Sequence, residues 1–182
     1  MAYKFLESKI SVSTDNAIQV AKNIKLQDLD NPELRLESCG NLASKLAESH
    51  RIREELIFFQ RNFPKKKVGA VLDGRDIGSV IFPDAKIKFF ITADLEVRAQ
   101  RRQVDYKKMG RKYSLRDLTE KLKERDKRDK NRKVSPLICM PDAIVFDNSE
   151  ISFERLNKEI IEIVEKKYKS LNLDINVKKP VK

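Results

Sequence analysis

An α/β domain, a parallel sheet with helices on its faces, is predicted by three observations. Short apolar runs alternate with longer amphipathic stretches, the order in which parallel strands and crossover helices follow one another. Serine and aspartate stand where those helices would begin, and glycine or proline where they would end. At 182 residues the chain suits one domain with a substantial core. The expected organisation is a single domain over residues 1–171, followed by a basic tail at 172–182.

The elements are expected in the following order. Residues 13–24 (STDNAIQVAKNI) read as a short helix begun by Ser13 or Thr14. Residues 25–38 form a polar connection. Apolar spacing at Leu42, Leu46, Ile52, Leu56 and Ile57 predicts one or two helices out to about Phe63, ended by Pro64. VGAVLD (68–73) reads as a buried strand and AKIKFFIT (85–92) as a second. Asp94 can cap a helix that Gly110 ends, and Ser114 can cap the next, with Asp117 in its first turn and Pro136 beyond its end. DAIVFDN (142–148) reads as a third strand, and residues 152–171 as a last amphipathic helix.

Composition narrows the function classes. Charged residues make up 37% and the net charge is +11, which favours an anionic partner: nucleic acid, an anionic membrane surface or a phosphorylated small molecule. No apolar run approaches the length of a membrane span, and the N-terminus lacks a secretory signal, so the chain is expected to be cytoplasmic with no membrane partner. Cys39 and Cys139 lie far apart without a C-x-x-C pattern. His50, the one histidine, reads as a solvated helix residue, so a nucleophile triad and direct metal ligation are not expected.

Chemistry concentrates in two places. In LDGRDIGS, Asp73, Arg75 and Asp76 stand between or beside Gly74 and Gly78 at the mouth of an expected strand. Open parallel sheets bind ligands outside the carboxyl ends of their strands. There Arg75 can grip a phosphate with two donors, and Asp76 can accept from an exocyclic amine such as N4 of cytosine. The glycines allow close approach or conformations a side chain would block. The plainer reading is a charged turn with a local ion pair. The second place is KERDKRDKNRKVSP (123–136), where Arg125, Asp129 and Arg132 share one helical face. That face suits a nucleotide, guanidinium to phosphate and carboxylate to ribose hydroxyl, against the plainer reading of a solvated helix laced with ion pairs. Arg98, Arg101 and Arg102 in RAQRRQ form a weaker third patch.

Taken together, NLASKLAESHRIREEL, LDGRDIGSVIFPDAKIKFFITA, RAQRR, ERDKRDKNRKVSPL and DAIVFDNS resemble, in order and spacing, the bacterial cytidylate kinases of the nucleoside monophosphate kinase family. The resemblance covers the chain from about Gly40 to the last helix. It implies a P-loop NTPase-like fold and transfer of the γ-phosphoryl of ATP to CMP or dCMP, with Mg2+ accompanying ATP. It implies that Ser44, Arg53 and Asp76 contact cytosine, and that Arg125 and Asp129 hold the pentose. Arg132 is expected to add a further nucleotide contact. Asp73, Arg75 and Arg132 form the implied catalytic set, Asp73 near the magnesium's water shell and Arg75 toward phosphate. Arg98, Arg101 and Arg102 fall in the region that closes over ATP. The partners implied are small nucleotides, with no nucleic acid, and a monomer is expected.

One family motif is missing. None of Gly40, Gly69, Gly74, Gly78 and Gly110 fits G-x-x-x-x-G-K-[ST], the loop whose amides cradle the phosphates of ATP. The expectation is therefore a domain that lacks its first strand and P-loop, beginning inside the helix at MAYKFLESKI. The competing reading is a noncatalytic basic binder of nucleic acid or nucleotide. Against it, aromatics are 7% of the chain and are not interleaved with the basic runs, as stacking platforms require.

Overall fold

The computed structural model describes residues 1–8, 13–64 and 69–170. The described residues fall into two compact units, one built from Met1–Asp84 with Glu120–Cys139, the other from Ala85–Thr119 with the residues from Met140 on.

The first unit is helical. Helix α1 (Ala2–Ser8) contacts α3 (Glu37–Leu46), and α2 (Thr14–Lys22) contacts α4 (His50–Asn62). The expected cap of α2 is present: Ser13 is extended and its Oγ accepts from the Asn16 amide at 3.2 Å. Such a cap contributes about 1 kcal/mol by satisfying one orphan amide of the first turn. Ala17, Ile18 and Ala21 make the buried face of α2, one stripe of a 3.6-residue period. Two short 3₁₀ turns, Leu26–Asp30 and Pro32–Arg35, occupy the polar connection, the second opened by Asn31 accepting from the Glu33 amide. The helical stretch expected up to Phe63 is two helices, broken at residues 47–49. Phe5, Ala17, Ile52 and Ile81 are the deepest apolar side chains of this unit.

Residues 69–73 differ from expectation. They form no ladder, and Val71 is 97% exposed. Residue 68 lies outside the described residues. A strand needs a neighbour for its amides and carbonyls, and among the described residues none forms a ladder with this run. Beyond the charged loop, Ile77–Ile81 form a single π-helical turn, with the Phe82 amide donating to the Ile77 carbonyl at 2.7 Å. Arg61 of α4 donates to the carbonyls of Val80 and Ile81, tying that turn to the helix. Gly74 and Gly78 do not take positive φ; Gly74 is needed for space, since a Cβ there would meet Ile77 Cγ1 at 2.8 Å.

The second unit holds the parallel pair. Strands β1 (Phe89–Thr92) and β2 (Ile144–Asp147) run in register Phe89↔Ile144 to Thr92↔Asp147, and the Phe89 and Phe146 rings lie 5.9 Å apart. Each strand leads into a helix, β1 into α5 (Leu95–Lys108) and β2 into α7 (Phe153–Ser170). Asp94 occupies the N-cap position of α5 without a side-chain cap bond. Gly110 ends α5 with φ +71: its amide donates to Lys107 O, and the Arg111 amide reaches back to Tyr106 O at 2.8 Å. That is the paired-bond helix ending for which glycine is preferred. Helix α6 (Leu115–Asn131) starts at Ser114, whose Oγ accepts from the Asp117 amide, and contributes its residues from Glu120 on to the first unit. The tail at 172–182 lies outside the described residues.

Candidate functional site

In the first unit, α3, α4, the charged loop and the end of α6 bring one cluster together. Arg53 on α4 and Asp76 in the loop are both buried and directly hydrogen-bonded, Nη2 to Oδ2. Asp129 on α6 is 1% exposed. It accepts from Ser44 Oγ of α3 at 2.7 Å and from Arg75 Nε at 3.1 Å. Arg125 Nε and Arg132 Nη1 each lie 3.7 Å from an Asp129 oxygen. Arg132 Nη2 stands 3.9 Å from Asp76 Oδ1. The i, i+4, i+7 spacing of Arg125, Asp129 and Arg132 has become one helical face whose members converge. The plainer reading, a solvated helix, fails for this face because Asp129 and Arg132 are out of water.

Four guanidinium groups, those of Arg53, Arg75, Arg125 and Arg132, thus gather around the two carboxylates of Asp76 and Asp129. Removing an ion from water costs several kcal/mol unless a partner compensates. Burial, followed by the neighbouring Arg53 charge, lowers the Arg132 pKa from its ordinary value, while Asp129 and Asp76 oppose the shift. Arginine stays charged at neutral pH regardless. Arg132 Nη2 is buried and donates no hydrogen bond among the described residues. A buried donor with no acceptor among the described residues, with other guanidinium groups close by, is chemistry that an entering anion satisfies. Arg132 also borders an open cleft of about 660 Å³ beside α6, together with Glu48, Glu124, Lys127, Arg128 and Lys133.

Two contacts between α3 and α6 set the spacing of this cluster. Arg128 Nη1 donates to Asn41 Oδ1 at 2.9 Å. One turn earlier, a Cβ on Gly40 would lie 2.6 Å from Arg125 Nη1, so the missing side chain is the room the guanidinium occupies. Sequence reading did not single out Gly40 or Asn41, because a contact partner 85 residues away leaves no local signal. It also missed Ser135, whose Oγ accepts from Arg53 Nε and whose carbonyl accepts from Arg132 Nε.

The remaining expected site residues lie apart from these contacts. Asp73 is exposed and enters none of the described contacts of the cluster. Arg98, Arg101 and Arg102 belong to the second unit. Arg98 Nε donates to the Ala93 carbonyl at 2.9 Å, and Arg102 Nη1 approaches Tyr106 Oη at 3.4 Å. Arg101 clasps the loop after β2, with bonds to Asn148 Oδ1 at 3.0 Å and to the Asn148 carbonyl at 2.7 Å. Ser149 Oγ in that loop accepts from the Asp94 amide, so the carboxyl ends of β1 and β2 are stitched together. Among the described residues no helix is long and apolar enough to cross a membrane, and no group of three or more His, Cys, Asp or Glu could hold a metal ion.

The cytidylate kinase family model matches residues 3–166. A cytidylate kinase of Cereibacter sphaeroides is 37% identical over 165 residues, covering 91% of this chain and 80% of that protein. The cytidylate kinase of Methylococcus capsulatus is 46% identical over 129 residues, 71% of this chain and 58% of the relative. That of a Bradyrhizobium species is 40% identical over 149 residues, 82% of this chain and 70% of the relative. With a family model matching most of its length and relatives at this identity, the chain belongs to the cytidylate kinase family.

Proposed function

We propose that the buried cluster of the first unit is the acceptor site of a cytidylate kinase, taking CMP or dCMP as the group that receives the γ-phosphoryl of ATP. The observation that carries this reading is the buried Arg132 Nη2, which donates no hydrogen bond among the described residues and stands 3.9 Å from Asp76 Oδ1. A nucleoside monophosphate is a dianion near neutral pH, and its phosphate oxygens would accept from Arg132 and Arg75. Asp76 keeps an oxygen, Oδ1, that takes no hydrogen bond from Arg53 and could accept from the cytosine amine. Ser44 and Arg53 would frame the base, and Arg125 with Asp129 the pentose.

Phosphoryl transfer asks little covalent chemistry of the protein; positioned cations neutralise charge that spreads over the transferred group. Arg75, 38% exposed at its side chain while still hydrogen-bonded to Asp129, is the arginine with room to swing toward that group. Mg2+ would arrive with ATP and supply further neutralisation of phosphate charge. Asp73, an exposed carboxylate that belongs to no metal-holding group of three or more His, Cys, Asp or Glu among the described residues, suits contact with the ion's water shell rather than a dedicated metal cage. Within these 182 residues there is no glycine-rich loop to cradle the ATP phosphates.

Calorimetric titration of the chain with CMP, dCMP, UMP and AMP tests the proposal. CMP and dCMP should bind, AMP poorly, and inorganic phosphate weakly at the same site. Asp76→Ala should erode the preference for cytosine more than it lowers affinity for phosphate. No discrimination between CMP and AMP by the unaltered chain would remove the base assignments of Asp76 and Arg53. A noncatalytic nucleic-acid binder would instead prefer an oligonucleotide, with affinity falling steeply as salt rises.

A further inference from the structure

We propose that Ser135 is a positioning residue that holds the guanidinium planes of Arg53 and Arg132 in binding geometry, an inference that rests on the acceptor-site reading above. Among the described residues, Ser135 is the non-glycine residue with positive φ, at 49°. An L side chain is strained in that region, and Ser135 also precedes Pro136, which narrows its backbone choices further. Glycine would take the same φ freely. What serine adds is a hydroxyl, and its Oγ accepts from Arg53 Nε at 3.0 Å. The φ reversal at the same time turns the Ser135 carbonyl to accept from Arg132 Nε at 2.7 Å. The Leu137 amide then bonds back to the Asp129 carbonyl at 2.7 Å, so the turn is anchored on both sides of the strained residue.

Nε lies in the guanidinium plane and is bonded to Cζ, from which both Nη groups branch. Fixing it leaves the two Nη groups one orientation instead of several. With Nε held by Ser135, Arg53 directs Nη2 at Asp76, and Arg132 directs its Nη groups to the space between Asp129 and Asp76. Backbone strain that persists at one residue, when a less strained residue type exists, points to a function that outweighs it. Here that function is the orientation of two arginines by one residue.

The test uses Ser135→Gly and Ser135→Asn. Ser135→Gly relieves the strain and removes the hydroxyl, so the melting temperature should hold or rise while CMP affinity falls about tenfold, the scale of one hydrogen bond to a charged group. Asparagine tolerates the left-handed region and offers an acceptor oxygen, so Ser135→Asn should restore most of the affinity. In an Arg53→Lys background, which lacks the Nε–H, Ser135→Gly should cost no more affinity. Equal losses in both backgrounds, or a drop in affinity and melting temperature together, would overturn the proposal. Exchange of the Arg53 Nε–H with solvent, followed by NMR, should be slow in the unaltered chain and faster in Ser135→Gly. Unchanged exchange refutes the positioning role whether or not CMP binds. Failure of the unaltered chain to bind CMP would instead remove the acceptor-site reading and leave the exchange comparison to decide Ser135.

Discussion

Replacing Asp129 by asparagine tests the electrostatic logic of the cluster most directly. The substitution keeps shape and one acceptor oxygen, so Ser44 Oγ, at 2.7 Å, can retain its bond. It removes the negative charge that stands within 4 Å of Arg75, Arg125 and Arg132, and turns an amide donor toward at least one guanidinium. Breaking a fully buried ion pair costs about 3–5 kcal/mol. Arg132 qualifies by burial, but its 3.7 Å approach without a hydrogen bond puts it at the low end. The bond from Arg75 would add about 1.5–3 kcal/mol if sheltered, and contributes less because that side chain is 38% exposed. The expected loss is about 3 kcal/mol, a large share of a stability of about 5–15 kcal/mol. For a chain of this size that lowers the melting temperature by about 6–12 °C. Urea unfolding followed by circular dichroism measures the loss, as a lower midpoint at unchanged slope. Inorganic phosphate should recover more stability in Asp129→Asn than in the unaltered chain, because the cluster then carries one negative charge fewer. A loss under about 1 kcal/mol, or equal rescue by phosphate in both proteins, would refute the reasoning.

Two further predictions concern stability in the second unit. The buried Lys88 ammonium donates to Asp142 at 2.6 Å, and that bond holds the Asp142 carboxyl below its ordinary value. A depressed folded-state pKa means that the stabilisation is whole above the unfolded value near about 4 and disappears as pH falls through the folded value. Asp142→Asn should therefore melt below the unaltered chain at pH 7, with the gap closing as both are titrated into acid; a gap constant with pH would contradict the assignment. Gly110→Ala should destabilise by about 1 kcal/mol through backbone strain alone, since φ is +71 and a Cβ there meets nothing within 4 Å. Asparagine at 110 should cost less, and thermal melts of the two variants check the order.

The amino-acid sequence by itself determined the local features of this protein. Ser13 and Ser114 cap helices, Gly110 ends one, and β1 and β2 sit inside the predicted apolar runs, because caps, turns and periodicity act over a few residues. Arg125, Asp129 and Arg132 were legible as one face for the same reason, a helical repeat read along eight residues. Tertiary structure alone decided which of those charges leave water. It put Asp129 against Ser44 and Arg75, residues 85 and 54 positions away, and set Arg125 over the gap at Gly40. It also left residues 69–73 outside any ladder among the described residues although they read as a strand, since pairing belongs to a neighbour and not to the segment. Ser135 carries the same lesson: nothing in KVSP announces a left-handed serine, and only the two arginines closing on it from α4 and from the end of α6 explain why that conformation is held.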